Sequence, residues 1–493
     1  MRLKEFRRAF ALALLAAALA ATTACEDKRT GVPKVLVIGG APQLRDPYEG
    51  PLKQPDRVLL MNVAQGLVRF DPAGNIVGGV AERWNVSDDG LSYIFRLSAM
   101  EWPDGSKVTA QQVARMLKRQ LTNRSRNPLS DALGAVEDIV PMTDRVIEIR
   151  LIAPRPNLLP LLAQPELGLL RNAYGTGPFS YSRTATPGQV HLLSEVISAD
   201  EEVTRREEVL LNGAPAPNAV KAFTSGDVDL VLGGTAADLP IAKHSRRPRN
   251  SLRFDPASGL FGLIPLRDEE PFADEDVRRL LSEAIDRDAF VAALDVPGLV
   301  ARATVLEPGL DGIPGPVQPA WFGVPLTTRR SAVQAEVLRL FGKTERPTIR
   351  VFLPPGPGMD ILFSRLVADW GAIGFPVERA SSSASADFGL IDEVAPSNSP
   401  AWFLRKFRCV AVPICDNEVD DLLAAARTSP VAAQRYALLY QAGERIDSEQ
   451  LFIPITAPVR WSLVSSRITG FAGNRYALHT LTDLDQRLNN RGE

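Results

Sequence analysis

Two apolar periods alternate along nearly the whole chain, and that alternation restricts the fold more than any single motif does. Leu91, Tyr93, Phe95 and Leu97 recur every second residue, with Ser92, Ile94 and Arg96 between them. This is the pattern of a strand with one buried face. Val113, Met116, Leu117 and Gln120 follow at helical spacing, with Arg115, Lys118 and Arg119 on the other side. Thr109 and Gln112 fit a capping box, in which each side chain satisfies a free backbone donor at the helix start. Strand patterns return at Lys34 to Ile38, Arg145 to Ile152, Val228 to Leu232, Thr348 to Leu353 and Pro454 to Val464. Helical patterns occupy Asp274 to Leu294, Ser331 to Phe341, Ile361 to Trp370, Glu418 to Ala426 and Val431 to Ile446. Such alternation is the mark of a mixed α/β protein. At 493 residues the chain exceeds one ordinary core, so more than one domain is expected.

Turn chemistry separates these runs. Asp71-Pro72-Ala73-Gly74-Asn75, Asp88-Asp89-Gly90 and Trp102-Pro103-Asp104-Gly105 each combine a residue that presets φ or bonds its own backbone with one that tolerates positive φ. Gly342 stands where a helix over Ser331 to Phe341 would end. Arg246-Arg247-Pro248-Arg249 reads as a solvated surface loop.

The N-terminus has the three-part layout of an export signal, with a short N-terminal core helix as the other reading. Arg2, Lys4, Arg7 and Arg8 precede the short apolar run Ala9 to Ala21, and Thr22, Thr23 and Ala24 lead into Cys25. The run is too short to span a bilayer, which takes about 20 helical residues. A cysteine directly after small residues resembles a lipoprotein lipobox. That resemblance implies cleavage before Cys25, acylation of its thiol and anchoring to a bacterial membrane. The departure is Thr22, at the place where a lipobox usually has Leu. Residues 1–24 are thus read as signal and 25–33 as tether.

Composition excludes several classes. Net charge is −2, which does not suit a nucleic-acid binder. The three histidines, His191, His244 and His479, stand apart from the cysteines, so no metal site is expected. No nucleophile elbow, phosphate loop or dinucleotide fingerprint occurs, and neither an enzymatic activity nor a cofactor is expected. Cys409 and Cys415 either close a small disulfide loop in an oxidising compartment or remain two separate thiols.

A longer, collinear set of segments carries a family resemblance. It runs Gln65-Gly-Leu-Val-Arg-Phe-Asp-Pro-Ala-Gly-Asn75, Val80-Ala-Glu-Arg-Trp84, Ser87-Asp-Asp-Gly90, Tyr93-Ile-Phe-Arg-Leu97 and Trp102-Pro-Asp-Gly-Ser-Lys-Val-Thr-Ala-Gln-Gln-Val113. Gly175-Thr-Gly-Pro-Phe179, the segment Phe272 to Phe290, Glu418-Val-Asp-Asp-Leu-Leu423, Arg435 and Ile453-Pro-Ile455 continue it. Together they resemble extracellular solute-binding protein family 5, which holds the oligopeptide-, dipeptide- and nickel-binding proteins of ABC importers.

The resemblance implies an α/β, two-lobed periplasmic-binding-protein-like fold with an extra small subdomain in the first lobe. By analogy, lobe I takes residues 34–47, 160–255 and 464–493, its subdomain 48–159, and lobe II 256–463. It implies a monomeric, periplasmic protein that captures a small solute of the peptide class between its lobes and delivers it to the transmembrane subunits of an ABC permease. A peptide-binding sensor or chaperone uncoupled from transport, and a hydrolase on the same fold, are the alternatives. Gln65 stands where the family commonly has Glu. The segment Asp387 to Glu393 lacks the family's peptide-gripping Trp, and there Asp392 or Glu393 is a candidate partner for a ligand amine, with a solvated loop pair as the other reading. Tyr174, Trp402 and Tyr476 complete the candidate ligand contacts, although burial with Phe403 and Phe407 is the competing role for Trp402.

Overall fold

A computed structural model describes residues 31–197 and 203–484. The signal segment and Cys25 lie outside the described residues. Among the described residues, no helix is long and apolar enough to cross a membrane.

Two sheets carry the two lobes. The first has seven strands, in the order Ser180–Arg183, Val190–Ile197, Val203–Ala214, Lys34–Ile38, Leu230–Thr235, Arg460–Val464 and Leu252–Phe254. Its centre is parallel, with Lys34–Ile38 between Val203–Ala214 and Leu230–Thr235. The second has five strands, in the order Val377–Arg379, Ile349–Phe352, Phe388–Val394, Gly259–Pro265 and Ile453–Thr456. The parallel strands Ile349–Phe352 and Val377–Arg379 are joined through the helix Pro357–Ala372, since parallel neighbours need a crossover connection.

The chain passes between the two sheets twice. Residues 255–258 join Leu252–Phe254 in the first sheet to Gly259–Pro265 in the second, and residues 457–459 join Ile453–Thr456 back to Arg460–Val464. The single strand expected over Pro454 to Val464 is therefore two strands in two sheets. Pro458 lies in the break, where its missing N–H would interrupt a ladder.

A third, four-stranded antiparallel sheet orders Ala81–Val86, Ser92–Leu97, Val146–Leu151 and Val136–Thr143. It packs against the helix Ala110–Gln120 over its own core of Tyr93, Phe95, Leu97, Val113, Leu117 and Ile149. The period-two reading holds here: Tyr93, Phe95 and Leu97 are buried while Ile94 faces out. The capping box forms, with Gln112 N donating to Thr109 Oγ1 and Thr109 N to Gln112 Oε1. Trp102 is a core residue whose Nε1 also donates to Gln112 Oε1, at 3.1 Å.

Two local readings change. The helix expected over Asp274 to Leu294 is broken into Glu275–Ala284 and Arg287–Leu294. Ile285 turns to extended geometry, and the Asp286 side chain caps the second helix at Ala289 N. Asp286 N in turn donates to the fully buried Asp369, so tertiary bonds hold the break open. A helix absent from the sequence reading, Gln54–Val63, follows Pro42, Pro47 and Pro51, with Pro55 in its first turn, where a missing N–H costs nothing.

Candidate functional site

The two lobes touch across the cleft between them. Gln164 Nε2 donates to the carbonyl of Pro396 at 2.8 Å, both residues being buried. Arg405 Nη1 donates to the carbonyl of Asp131 at 2.6 Å, and Arg408 Nη2 lies 3.2 Å from Asp131 Oδ2. Arg155 Nη2 reaches the carbonyl of Arg427.

The arginine contacts rim a cavity of about 370 Å³. One wall comes from residues 131–161, at the edge of the four-stranded sheet and the start of the helix Leu158–Leu162. The other comes from the helices Pro400–Arg405, Asn417–Thr428 and Ala432–Ser448 of the far lobe. Leu133, Leu151, Leu158, Leu161, Leu423 and Leu439 supply an apolar lining. A concave, largely apolar space with a few convergent polar groups suits a small ligand.

The polar groups are unusual in kind. Five guanidinia line the cavity, those of Arg155, Arg405, Arg408, Arg427 and Arg435, against the carboxylates of Asp131, Asp420 and Asp421. Burial pushes Arg155 down to about 10, and the charges of Arg435 and Arg405 push the same way. Burial also lowers Arg405, opposed by the carboxylate of Asp131. Arg435 is only 5 % exposed, and its Nη1 has no hydrogen-bond partner among the described residues.

None of the six ligand contacts expected from the sequence lines this cavity. Gln65 is buried and its Nε2 donates to the carbonyl of Thr176, holding the Gly175–Phe179 loop against the end of the helix Gln54–Val63. A Cβ at Gly175 or Gly177 would collide with the backbone of Val63 and Ala64, so close approach explains both glycines. Tyr174 is 57 % exposed on a two-residue strand paired with Leu170–Arg171. Asp392 pairs with Arg460, and Glu393 pairs with Lys406, whose ammonium also sits 5.5 Å over the Trp402 ring. Trp402 is buried edge-on to Phe403. Tyr476 stacks on Phe70 with ring centroids 4.5 Å apart. Burial raises its phenol pKa, and the far-lobe carboxylate of Asp311 acts in the same direction.

The cavity arginines carry no local signature. They stand between positions 155 and 435 in three helices and two loops, and only the tertiary fold assembles them. Arg435 alone was singled out in the sequence, as part of the family resemblance.

Cys409 and Cys415 are joined in a disulfide, with Cα atoms 5.0 Å apart. The bridge closes a loop beside the helix Asn417–Thr428, and Cys409 N donates to the Asp420 carboxylate. Among the described residues, no group of three or more His, Cys, Asp or Glu side chains is arranged to hold a metal ion.

Comparison with known proteins agrees with this architecture. Residues 75–341 match the family described as bacterial extracellular solute-binding proteins, family 5 Middle. The chain is 22% identical to a probable di/tripeptide-binding protein 5 of Pseudomonas aeruginosa, over 83% of this chain and 87% of that one. It is likewise 22% identical to the periplasmic oligopeptide-binding protein OppA of Escherichia coli, over 85% and 86% of the two chains. Among solved structures, Haemophilus influenzae OppA in complex with the peptide RPPGFSPFR superposes with a TM-score of 0.78 at 17% identity, covering 92% of this chain and 99% of that one. The Escherichia coli murein tripeptide binding protein MppA gives 0.77 at 17% identity, over 92% and 98%. With two lobes joined by two crossings and a matching segment that spans more than half its length, the chain belongs to the bacterial extracellular solute-binding proteins, family 5.

Proposed function

We propose that this protein captures a small solute of the peptide class in the cavity between residues 131–161 and the far lobe, and presents the closed form to an ABC permease. The observation that carries this reading is the cavity's position. Among the described residues its two walls belong to bodies connected through two short crossings, so rotation about 255–258 and 457–459 opens or shuts it. The relatives named for di/tripeptide and oligopeptide binding supply the ligand class. The protein performs no chemistry on the solute, and transport energy comes from the partner ATPase.

Export and anchoring belong to the same proposal. The mature chain begins at an acylated Cys25, and residues 25–33 tether a monomer to a bacterial membrane on the periplasmic side. The Cys409–Cys415 bridge supports export, because disulfides persist in oxidising compartments.

A thermal-shift screen of the purified protein against di- to pentapeptides, nickel chelates, sugars and opines tests the reading. A ligand bound only by the native state stabilises it by about 2.7 kcal/mol at a hundredfold excess over Kd. A shift with peptides is expected. A shift confined to another class would replace the peptide assignment, and silence from every class would overturn the solute-binding role.

A further inference from the structure

Residues 300–307 belong to an irregular stretch between the helices Arg287–Leu294 and Leu326–Phe341, yet every residue from Ala303 to Glu307 is buried. Buried backbone outside a helix or sheet must find its hydrogen-bond partners elsewhere. Here the partners lie at the far-lobe ends of both crossings. Ala301 bridges Thr456, Arg302 N donates to the Ile455 carbonyl at 3.0 Å, and Thr456 Oγ1 donates to the Val300 carbonyl at 2.7 Å. These bonds fix the last residues before the return crossing. At the outgoing crossing, Ser258 Oγ donates to Glu307 Oε1, and Arg302 Nη1 donates to the Gly259 carbonyl at 3.3 Å. Arg302 and Glu307 also form an ion pair, mostly buried and so little screened by solvent. Arg302 thus holds one crossing with its backbone and the other with its side chain.

The same segment is tied to the cavity wall. Val305 N donates to Asp447 Oδ1 at 2.8 Å, and a Cβ at Gly443 would meet Leu306 Cδ1 at 2.6 Å. Both partners belong to the helix Ala432–Ser448, which lines the cavity through Arg435, Tyr436 and Leu439. The near-lobe end of the outgoing crossing is held separately. Asp255 N donates to the Arg460 carbonyl at 3.0 Å, and the Asp255 carboxylate bonds Asn474 N at 3.0 Å and His479 Nε2 at 3.1 Å. Between these two sets of bonds lie Pro256-Ala257 and Ala457-Pro458-Val459. Each contains a proline, whose ring fixes φ and leaves few torsions free to turn.

We propose that residues 300–307 are a strap that couples the two crossings to each other and to the cavity-lining helix, with Arg302 and Glu307 as its positioning residues. The crossings then turn together, about Pro256-Ala257 and Ala457-Pro458-Val459, and the far lobe moves as one body. The strap belongs to the unliganded chain and is independent of which solute the cavity takes.

Hydrogen exchange of the unliganded protein, read by mass spectrometry of overlapping fragments, tests the coupling. Direct strand pairing joins Thr456 to Phe261, so the amides of 257–259 report the strap rather than the ladder. Thr456→Val removes the hydroxyl that bonds Val300. It is expected to speed exchange about fivefold at 455–460 and also at 257–259, on the crossing it does not touch. Ser258→Ala should do the reverse, and Thr456→Ser should keep the unaltered rates. Arg302→Met combined with Glu307→Gln removes the pair without stranding a buried charge, and should speed both crossings. The helix Pro357–Ala372 should keep its rate in every variant. Faster exchange confined to the substituted crossing would show that the two move independently, and unchanged exchange would show that the strap bonds contribute nothing. Either result overturns the coupling. An equal rise throughout the far lobe overturns it too, by assigning these residues to general stability. Should the double variant fail to fold, Thr456→Val and Ser258→Ala decide alone. No solute is added, so these outcomes are separate from those of the peptide screen.

Discussion

Arg460 Nη1 lies 2.7 Å from Asp392 Oδ1, and its Nη2 bonds the Asp392 carbonyl at 3.0 Å, joining the first strand residue after the return crossing to a strand of the other lobe's sheet. Both side chains are mostly buried, so the pair is little screened by solvent. Arg460→Gln is expected to destabilise the protein by about 1.5–3 kcal/mol, the range for a hydrogen bond to a charged group. Guanidinium denaturation measures this, and an unchanged midpoint would show that the clasp contributes nothing.

Closure should depend on Gln164. Its bond to the Pro396 carbonyl bridges the two lobes, and opening is expected to return both groups to water. Gln164→Ala leaves that carbonyl unpaired in the closed form, at a cost of about 1–2 kcal/mol. Ligand affinity should fall several-fold, and small-angle scattering should show a more open liganded population. An affinity equal to that of the unaltered protein would place closure elsewhere.

Asp447 should make stability depend on pH. Burial, reinforced by the charge of Glu444, pushes its carboxyl up to about 8, while its Oδ1 accepts from Val305 N. The folded state therefore keeps a proton that the unfolded chain releases near its ordinary value of 3.8. Stability is full at the acid end and is lost as pH rises through the folded value of about 8. Asp447→Asn keeps the acceptor for Val305 but cannot ionise. Its melting temperature should change less than that of the unaltered protein between pH 5 and pH 8, and parallel profiles would remove Asp447 as the cause.

Anchoring has its own test. Each buried acyl methylene contributes about 0.8 kcal/mol to membrane attachment. Cys25→Ser should move the mature protein from the membrane fraction to the soluble one. Retention in the membrane fraction would rule out the lipid anchor.

The parts legible in the sequence are those decided within one turn or one strand. The Thr109–Gln112 box, the inward Tyr93, Phe95 and Leu97, and the turn at Asp71 to Asn75 each depend on neighbours a few residues away, which the chain specifies directly. The collinear motifs likewise reached the family, because they extend over most of the chain. The break at Ile285 was not legible, since it is held by Asp369, far away in sequence.

The same distinction separates family from site. Sequence by itself determined a mixed α/β, multi-domain chain with a solute-binding family pattern. Only the tertiary structure decided that Asp392 and Glu393 are engaged by Arg460 and Lys406, and that Arg155 and Arg435 face one cavity. Local backbone preferences act over a few residues, whereas a charge's partner is set by which surfaces the two crossings bring together. A buried guanidinium and a solvated one are identical in sequence, and burial alone distinguishes them.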